Sequence, residues 1–402
     1  MKSLLFIGPW PPPFGGIASH LYELLPGLEQ NGYKINILSF SESKQEINFV
    51  ERGVHVNYFS PSFYLFNNLL KILFSAIVNL RHKKDLSFKK YFRAISISTK
   101  INDIVKKNHT NFIFTYDNDQ LHINPFISND DKKIKIFNSI YGAFFLDPEF
   151  YKNEKKFLNH AISFSDKVLS CSQYCVDSAK NFLKINYPTK VFYNNVDKVI
   201  YNPNLDGSKI REKYDIPKDS IVLMTMGRIG KDMGIDFLLN NLDKITSISE
   251  KLIIFFVGAK AELCDQVIKH SNTNKQIRYS FDISFEDKPY FFACCDIFTA
   301  PTKEKHACMG IANIEAMMSR KAVISSTSGG HVETIENGVS GILVPFENGI
   351  IDNKIYIENL SLLVNDKKIR DDFAKKGYER SLKLFTNEKI VQEHIDFIKE
   401  NS

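Results

Sequence analysis

The same local pattern, an apolar strand followed by a Gly- or Pro-containing loop and an amphipathic helix, begins at residue 4 and again at residue 221. In the first copy the apolar run 4–7 precedes a Pro/Gly loop, and apolar residues then recur at helical spacing over 17–28. Pro26 lies within this helix, and we expect it to kink the helix or to end it early. Strands that alternate with helices in this way predict α/β domains with parallel sheets.

The length of the chain, 402 residues, predicts two or three domains. A segment poor in apolar residues, 194–218, indicates a linker, and we place a domain boundary near residue 200. The apolar run 33–38, which follows Gly32, is predicted to be a strand, and so are the runs 252–257, 297–300 and 322–325, each of which precedes a Gly- or Pro-containing loop.

Composition excludes several classes of protein. Hydrophobic residues make up 44% of the chain and charged residues 24%, values that are typical of a globular protein and not of a disordered one. The net charge of +6 permits anionic partners but does not indicate nucleic-acid binding. The six cysteines form neither a disulfide framework nor paired CxxC motifs, which favours a reducing, cytoplasmic location. We interpret the run 4–7 as a buried strand rather than a signal peptide, and no run of 18 uninterrupted apolar residues occurs.

The segment 63–107 combines an apolar stretch with clustered positive charge. Residues 63–80 are rich in Leu, Ile and Phe, and nine Lys or Arg residues follow against only Asp85 and Asp103. Two interpretations are equally supported by this pattern: a helix that lies on an anionic membrane surface, and a solvated helix pair that packs on the sheet.

Loops that meet helix N-termini beyond the carboxyl ends of parallel strands are the usual ligand sites of α/β sheets, because free N–H groups there favour anions. Gly15 and Gly16 follow the first strand and would let the backbone approach a phosphate or sugar closely, although a tight turn with positive φ also explains them. Arg228 follows the strand 221–226 and, with Lys231, offers cations to a diphosphate.

Two further loops lie near the end of the second domain. Gly310 opens a helix that places Glu315 little more than one turn in, where its carboxylate can accept two ribose hydroxyls. The stretch 328–333 contains Gly329 and Gly330 and turns into another short helix.

In this order the motifs resemble those of the family 4 retaining glycosyltransferases, which are glycosyl transferases of group 1. The resemblance spans nearly the whole chain and is carried by Phe14-Gly15-Gly16-Ile17, Asn195-Val196-Asp197, Gly227-Arg228, 310–317, Gly329-Gly330 with Glu333, and 337–341. It implies a GT-B fold, in which two Rossmann-like domains with parallel sheets face each other across a cleft. It also implies an acceptor-binding domain over 1–198, a nucleotide-sugar-binding domain over 199–385, and a C-terminal helix over 386–402 that crosses back onto the first domain.

The resemblance further implies roles for individual residues. Gly15 and Gly16 would contact the donor diphosphate or sugar through their backbone, Arg228 would bind the diphosphate, and Glu315 would hold the ribose. The backbone N–H groups that would receive the diphosphate are those of Met309, Gly310, Ile311 and Ala312. No metal or cofactor is implied besides the donor itself, which is UDP- or GDP-linked. We therefore interpret Asp117-Asn118-Asp119, which looks like a metal-binding DxD motif, as a polar loop.

Three positions depart from the family pattern. Ala307 stands where the family has the first of two paired glutamates, Met233 where it has a lysine, and Tyr141 where many members have a histidine. Glu304 and Lys231 lie within three residues of the first two positions and are predicted to substitute for the missing groups, while Tyr141 keeps a hydroxyl that can donate a hydrogen bond. The predicted catalytic residues are thus Arg228, Lys231, Glu304 and Tyr141.

The resulting hypothesis is a cytoplasmic, retaining, metal-independent hexosyltransferase that moves a sugar from a nucleotide diphosphate to a glycan or lipid-linked acceptor in surface polysaccharide or glycoconjugate synthesis. It would be peripheral on the inner face of the membrane if segment 63–107 contacts lipid. One alternative is a catalytically impaired GT-B subunit that binds glycan or a partner transferase. A second is a GT-B epimerase that acts on the nucleotide sugar without an acceptor.

Overall fold

The computed structural model describes residues 1–12, 15–40, 46–83, 86–116, 118–129, 133–140, 154–184, 186–303 and 307–402, with only the backbone of 118–120. The chain forms two compact units. Unit 1 comprises residues 1–195 and 387–402, and unit 2 comprises residues 196–386. The sequence placed these limits at 198/199 and 385/386; the acceptor and donor roles assigned to the two domains stay predictions.

Unit 1 is built on an eight-stranded sheet. Its strands are β1 (Ser3–Ile7), β2 (Lys34–Phe40), β3 (Ile47–Glu51), β4 (Val54–Phe59), β5 (Phe112–Tyr116), β6 (Lys135–Ile140), β7 (Lys167–Ser170) and β8 (Thr189–Val191). The spatial order is β3-β4-β2-β1-β5-β6-β7-β8, and every neighbouring pair is parallel except β3 with β4. The helices of this part are α1 (Gly16–Gln30), α2 (Pro61–Asn67), α3 (Leu69–Val78), α4 (Phe88–Asn108), α5 (Lys155–Ile162) and α6 (Gln173–Leu183), with 3₁₀ turns at Leu80–His82 and Asn118–Phe126.

The predicted first βαβ unit is confirmed. All five residues of β1 are buried, as expected for a central parallel strand covered on both faces. His20 of α1 is also buried.

The expectation that Pro26 ends its helix early is wrong, since α1 continues to Gln30. Proline has no N–H, so the carbonyl of Tyr22, four residues earlier, loses its helical partner. Arg52 supplies the replacement, because its guanidinium donates to that carbonyl (2.9 Å) and lies 4.6 Å from the centre of the Tyr22 ring. A side chain from another element thus satisfies the acceptor that the proline leaves open.

Unit 2 is built on a six-stranded parallel sheet of order β11-β10-β9-β12-β13-β14. Its strands are β9 (Ile221–Met226), β10 (Leu252–Gly258), β11 (Ile277–Phe281), β12 (Ile297–Ala300), β13 (Ala322–Ser326) and β14 (Ile342–Val344), and a small antiparallel pair, β15 (Phe346–Glu347) and β16 (Ile350–Ile351), follows. The helices are α7 (Ser208–Lys213), α8 (Ile235–Asn240), α9 (Leu242–Thr246), α10 (Cys264–Thr273), α11 (Lys288–Cys294), α12 (Ile311–Met318), α13 (His331–Thr334), α14 (Asn353–Asn365) and α15 (Lys367–Leu384). The strands predicted at 221–226, 252–257, 297–300 and 322–325 are all confirmed.

The last helix, α16 (Asn387–Glu400), belongs to unit 1 and packs on α1. The close approach depends on Gly27 of α1, because a Cβ there would lie 2.5 Å from a methyl group of Val391. Buried His394 of α16 stacks on Phe192, with ring centres 3.9 Å apart, and its Nε2 lies 3.2 Å from the Tyr116 hydroxyl. The C-terminal helix therefore completes the core of unit 1.

The described residues contain no single helix that is both long and apolar enough to cross a bilayer. Helices α2 and α3 reach that standard of length and hydropathy only when taken together, and a bend of 100° separates them.

Acid should destabilise unit 1 through its buried histidines. Burial lowers the pKa of His394 to about 3, from an ordinary value of 6.5. Between these two values the unfolded chain binds a proton that the folded chain does not, so stability is fully present above pH 6.5 and is lost as the pH falls. We expect this histidine to cost about 2 kcal/mol of unfolding free energy by about pH 4.5.

Chemical denaturation of the wild type, His394→Gln and the control His55→Gln, at about pH 7 and about pH 4.5, measures this effect. His55 is exposed. The loss on acidification should shrink in His394→Gln and persist in His55→Gln. Equal losses in all three proteins would contradict the assignment.

Candidate functional site

The sheet of unit 2 has a switch in strand order between its two central strands. From β9 the chain moves outward to β10 and β11, and it then returns to place β12 on the other side of β9. Loops that leave adjacent strands in opposite directions open a crevice at their carboxyl ends, which is where α/β sheets bind ligands. The segments in question are 227–234 after β9, 301–303 and 307–310 after β12, and 327–330 after β13.

Glycines allow the first two of these loops to touch backbone to backbone. Gly234 has φ +74, and a Cβ there would lie 1.7 Å from the carbonyl oxygen of Pro301. Gly258, at the end of β10, has φ +135, and a Cβ there would lie 1.9 Å from the carbonyl oxygen of Gly227. The backbone N–H of Lys303 donates to the carbonyl of Asp232 (2.8 Å), which ties the loops together further.

The cations of loop 227–234 are already balanced by carboxylates. The exposed guanidinium of Arg228 pairs with Asp232. The backbone N–H of Lys231 donates to Glu262 (2.8 Å), and this bond, with the charges of Lys231 and Arg228, lowers the pKa of Glu262. An anionic ligand of Arg228 would therefore compete with Asp232 for this guanidinium.

Helix α12 begins at a residue that only glycine fits. Gly310 caps the helix in the left-handed conformation, with φ +70 and no side-chain hydrogen bond to the first turn. A Cβ there would lie 2.6 Å from Nε2 of the buried His331, whose Nδ1 lies 2.9 Å from the Ser325 hydroxyl. Burial lowers the pKa of His331 to about 4, so the ring is neutral near pH 7. Because glycine has no side chain, the cap residue itself pairs with none of the N–H groups in the first turn of α12.

Glu315 is held with one oxygen paired and one free. Its side chain is 3% exposed, and Oε1 lies 2.5 Å from the ammonium of Lys288, the first residue of α11. Oε2 is buried and has no hydrogen-bond partner among the described residues. An unpaired buried carboxylate oxygen costs several kcal/mol unless a ligand satisfies it, at about 1–3 kcal/mol for a neutral group and more for a charged one. Oδ1 of Asp236 is the other buried carboxylate oxygen in the described part of unit 2 that has no partner.

The backbone at Gly15 excludes a tight turn with positive φ as the explanation for that glycine. Its φ is −137, so no left-handed turn requires it, and a Cβ there would meet no described atom within 4 Å. Gly16 is the first residue of α1, and both glycines are exposed. Neither the backbone nor the packing of unit 1 therefore demands glycine at position 15.

The structure describes two of the three positions that depart from the family pattern, Met233 and Ala307. The Met233 side chain covers Gly227, since a Cβ on that glycine would lie 2.8 Å from the Met233 methyl group, and it packs against the core of unit 2. The carbonyl of Ala307 accepts the N–H of Gly330 (2.8 Å), so this position serves as backbone support for the loop 327–330.

Other sequence predictions fall on parts of the chain that are not described. Tyr141, Glu304, Phe14 and Asp117 lie outside the described residues, and so do the side chains of Asn118 and Asp119. The catalytic roles of Tyr141 and Glu304 stay predictions.

The sequence analysis missed three charged side chains around the predicted site: Lys288, Asp232 and Glu262. Lys288 stands 27 positions before its partner Glu315. No local motif marks such a pair, because α11 and α12 come together only when β12 takes its place in the sheet. Asp232, four positions after Arg228, is the one partner that an i,i+4 pattern would have suggested.

The glycine contact between the loops can be tested by stability. Gly234→Ala would place a methyl group on the carbonyl of Pro301 and should lower the unfolding free energy by roughly 3 kcal/mol or more, because the loops must separate. Gly338 is a matched control, since its φ of +75 is the same and a Cβ there would meet nothing within 4 Å. Gly338→Ala should cost only the backbone strain, about 1 kcal/mol. Equal losses in urea denaturation would refute the contact.

Comparison with known proteins agrees with this architecture. Residues 206–380 match the family of glycosyl transferases group 1. The capsular polysaccharide biosynthesis glycosyltransferase CapM of Staphylococcus aureus is 28% identical over 209 residues, 49% of this chain and 52% of that protein. The first such relatives are thus matched over about half to two thirds of their length. The uncharacterized glycosyltransferase MJ1069 of Methanocaldococcus jannaschii is 25% identical over 94% of this chain and 98% of its own.

Among solved structures, Alr3699/HepE of Anabaena in complex with UDP and glucose superposes with a TM-score of 0.73 at 15% identity and covers 100% of both chains. At this identity the likeness concerns the fold, and it is the fold that the sequence predicted. The two Rossmann-like sheets have the GT-B architecture, and the match to the glycosyl transferases of group 1 covers residues 206–380.

Proposed function

We propose that this chain is a retaining, metal-independent glycosyltransferase that moves a hexose from a nucleotide diphosphate to a glycan or lipid-linked acceptor. One observation carries the proposal: the buried, unpaired Oε2 of Glu315, on the helix that Gly310 opens at the carboxyl edge of the sheet. A ribose hydroxyl would donate to that oxygen, while Lys288 keeps the other oxygen in place.

The diphosphate would then lie at the start of α12. The start of a helix and its dipole favour an anion, and the N–H groups that would receive it are those of Met309, Gly310, Ile311 and Ala312. Arg228 would leave Asp232 to grip a phosphate, and Lys231 would add a second charge from the same loop. Together these groups would stabilise the negative charge of the departing diphosphate, which is why we propose that no metal ion takes part.

The proposed reaction follows a front-face course. The acceptor hydroxyl oxygen forms a bond to the anomeric carbon, the bond from that carbon to the diphosphate oxygen breaks, and the hydroxyl proton passes to a phosphate oxygen of the departing nucleotide. The new glycosidic bond then has the configuration of the donor. The chain needs no second carboxylate as nucleophile for this course, so the alanine at position 307 does not exclude it.

The relatives support the class of substrates. CapM takes part in capsular polysaccharide synthesis, a Salmonella typhimurium relative is a lipopolysaccharide 1,2-N-acetylglucosaminetransferase, and the HepE structure holds UDP and glucose. We therefore propose a role in surface polysaccharide or glycoconjugate synthesis with a UDP-linked donor, GDP being the alternative to test. We also propose a cytoplasmic protein whose segment 63–107 contacts the membrane, where a lipid-linked acceptor would be found.

The role of Glu315 predicts a specific loss of nucleotide affinity. Glu315→Gln should weaken UDP or GDP binding by tenfold or more in titration calorimetry, because a charged hydrogen bond to a hydroxyl contributes about 1.5–3 kcal/mol. Glu358→Gln, an exposed glutamate of the same unit that pairs only with Lys354, is the control and should bind normally. Unchanged affinity in Glu315→Gln would remove the basis of the proposal.

The role proposed for Gly15 predicts a loss of transfer rate without a loss of stability. Gly15→Ala should leave the melting temperature unchanged, because the site is open, yet lower the transfer rate by about 10²-fold if the backbone there must approach the donor. Steady-state kinetics with thermal unfolding of the same samples separates the two effects. A fully active Gly15→Ala protein would exclude the backbone of Gly15 from donor contact.

Further measurements decide between the proposal and its rivals. If calorimetry detects binding of neither UDP nor GDP, the result favours the impaired subunit that binds glycan or a partner transferase. Turnover of a nucleotide sugar without acceptor favours the epimerase. If transfer occurs, NMR of the new anomeric proton should show the configuration of the donor, and an inverted configuration would contradict the retaining mechanism. Chelation of metal ions by EDTA should leave the transfer rate unchanged, and a loss of rate would contradict the metal-independent mechanism.

A further inference from the structure

Unit 1 carries a continuous set of exposed apolar side chains on α2, α3 and the 3₁₀ turn that follows. We call this set the α3 face; its members are 39–84% exposed and are Phe66, Leu69, Leu70, Leu73, Phe74, Ile77, Val78 and Leu80. Exposed apolar residues that occur singly need no explanation, but eight in fifteen consecutive positions form a patch that water disfavours.

The two sides of α3 differ in what they contact, although both are apolar. Ile72 and Ala76, four residues apart, are buried in the core of unit 1. The opposite side presents Leu70, Phe74 and Ile77, which are 84%, 71% and 74% exposed. A helix that packs only on its own domain carries polar residues on its outer side, so packing within unit 1 does not account for this composition.

The edge of the α3 face carries an excess of positive charge. Lys71 and Lys90 are paired with Asp103 and Glu154. Arg81, Lys83 and Lys89 have no acidic partner within the described ranges. Lys83 lies 4.2 Å from the centre of the Phe88 ring, which keeps its ammonium at the surface next to the C-terminal end of α3.

An exposed apolar face with cations at its edge favours an anionic bilayer over other binding partners of this face. Apolar side chains can enter the interface between lipid headgroups and acyl chains while the cations around them meet lipid phosphates. A second copy of the chain is disfavoured, because a two-fold interface through this face would bring the unpaired cations of both copies together. The bend of 100° between α2 and α3 favours helices that lie in the interface over a span.

We propose that the α3 face docks unit 1 on a membrane surface that contains anionic phospholipid, with Leu70, Phe74 and Ile77 inserted and Arg81, Lys83 and Lys89 at headgroup level. The membrane contact proposed above for segment 63–107 is thereby assigned to the α3 face and to anionic lipid. It does not depend on glycosyl transfer, so the two can fail separately.

Co-sedimentation of the full chain with vesicles tests the docking surface. The wild type should bind phosphatidylglycerol-containing vesicles at least tenfold more strongly than phosphatidylcholine vesicles at about 0.05 M salt, and lose most of this difference at about 0.5 M salt. Leu70→Ser with Phe74→Ser should weaken binding at least tenfold at both salt concentrations. Val199→Ser with Ile350→Ser is the matched control, since these side chains are 74% and 70% exposed in unit 2, and it should bind like the wild type.

A charge variant tests the second half of the proposal. Lys83→Gln with Lys89→Gln should bind roughly 25-fold more weakly at low salt and nearly normally at high salt, since each basic residue near an anionic surface contributes about fivefold. Circular dichroism and UDP calorimetry on the same samples show whether the variants are folded, and they report on the donor site independently of lipid.

Three results would overturn the proposal. The first is a wild type that does not sediment with anionic vesicles at low salt. The second is equal loss of binding in Leu70→Ser with Phe74→Ser and in the unit 2 control. The third is a concentration-dependent dimer that disappears in Leu70→Ser with Phe74→Ser while lipid binding is absent, which would assign the α3 face to a second copy of the chain.

Discussion

Backbone-to-backbone contacts made by glycine hold the candidate donor site together. Gly234 lies against the carbonyl of Pro301, and Gly258 lies against the carbonyl of Gly227. The loop after β13 makes the same kind of contact, since a Cβ on Gly330 would lie 1.8 Å from the carbonyl of Cys308. These contacts fix loops from three strands at one edge of the sheet, so the N-terminus of α12 and the side chains around it take their positions from the backbone rather than from side-chain packing.

Charge at this edge is arranged in pairs before any ligand arrives. Lys288 holds Glu315, Asp232 holds Arg228, and Lys303 lies 2.7 Å from Asp236. The partly buried pairs keep charged side chains in one orientation, while the exposed pair of Arg228 contributes little stability and exchanges readily with another anion. In the proposed complex a diphosphate would replace the partner of Arg228, whereas a ribose would add to a carboxylate that stays paired with Lys288.

The sequence predicts the parts of this structure that are set by local pattern. Apolar runs before glycine loops located β1, β9, β10, β12 and β13, because parallel strands buried on both faces are apolar throughout. The sequence did not predict contacts between segments that are distant along the chain. Arg52 rescues the helix around Pro26 from outside that helix, and Lys288 finds Glu315 through the order of strands. The pattern of 63–107 left two interpretations open, because spacing alone does not say which side of α3 is buried in unit 1.

The central claim is that Glu315 and the start of α12 receive a nucleoside diphosphate. A crystal structure of the full chain with UDP, and with GDP if UDP does not bind, tests it most directly. The account predicts a ribose hydroxyl within hydrogen-bond distance of Glu315 Oε2, phosphate oxygens at the N–H groups that follow Met309, and an Arg228 guanidinium that has left Asp232. A nucleotide that lies elsewhere, with Oε2 still unpaired and Arg228 still on Asp232, would contradict it.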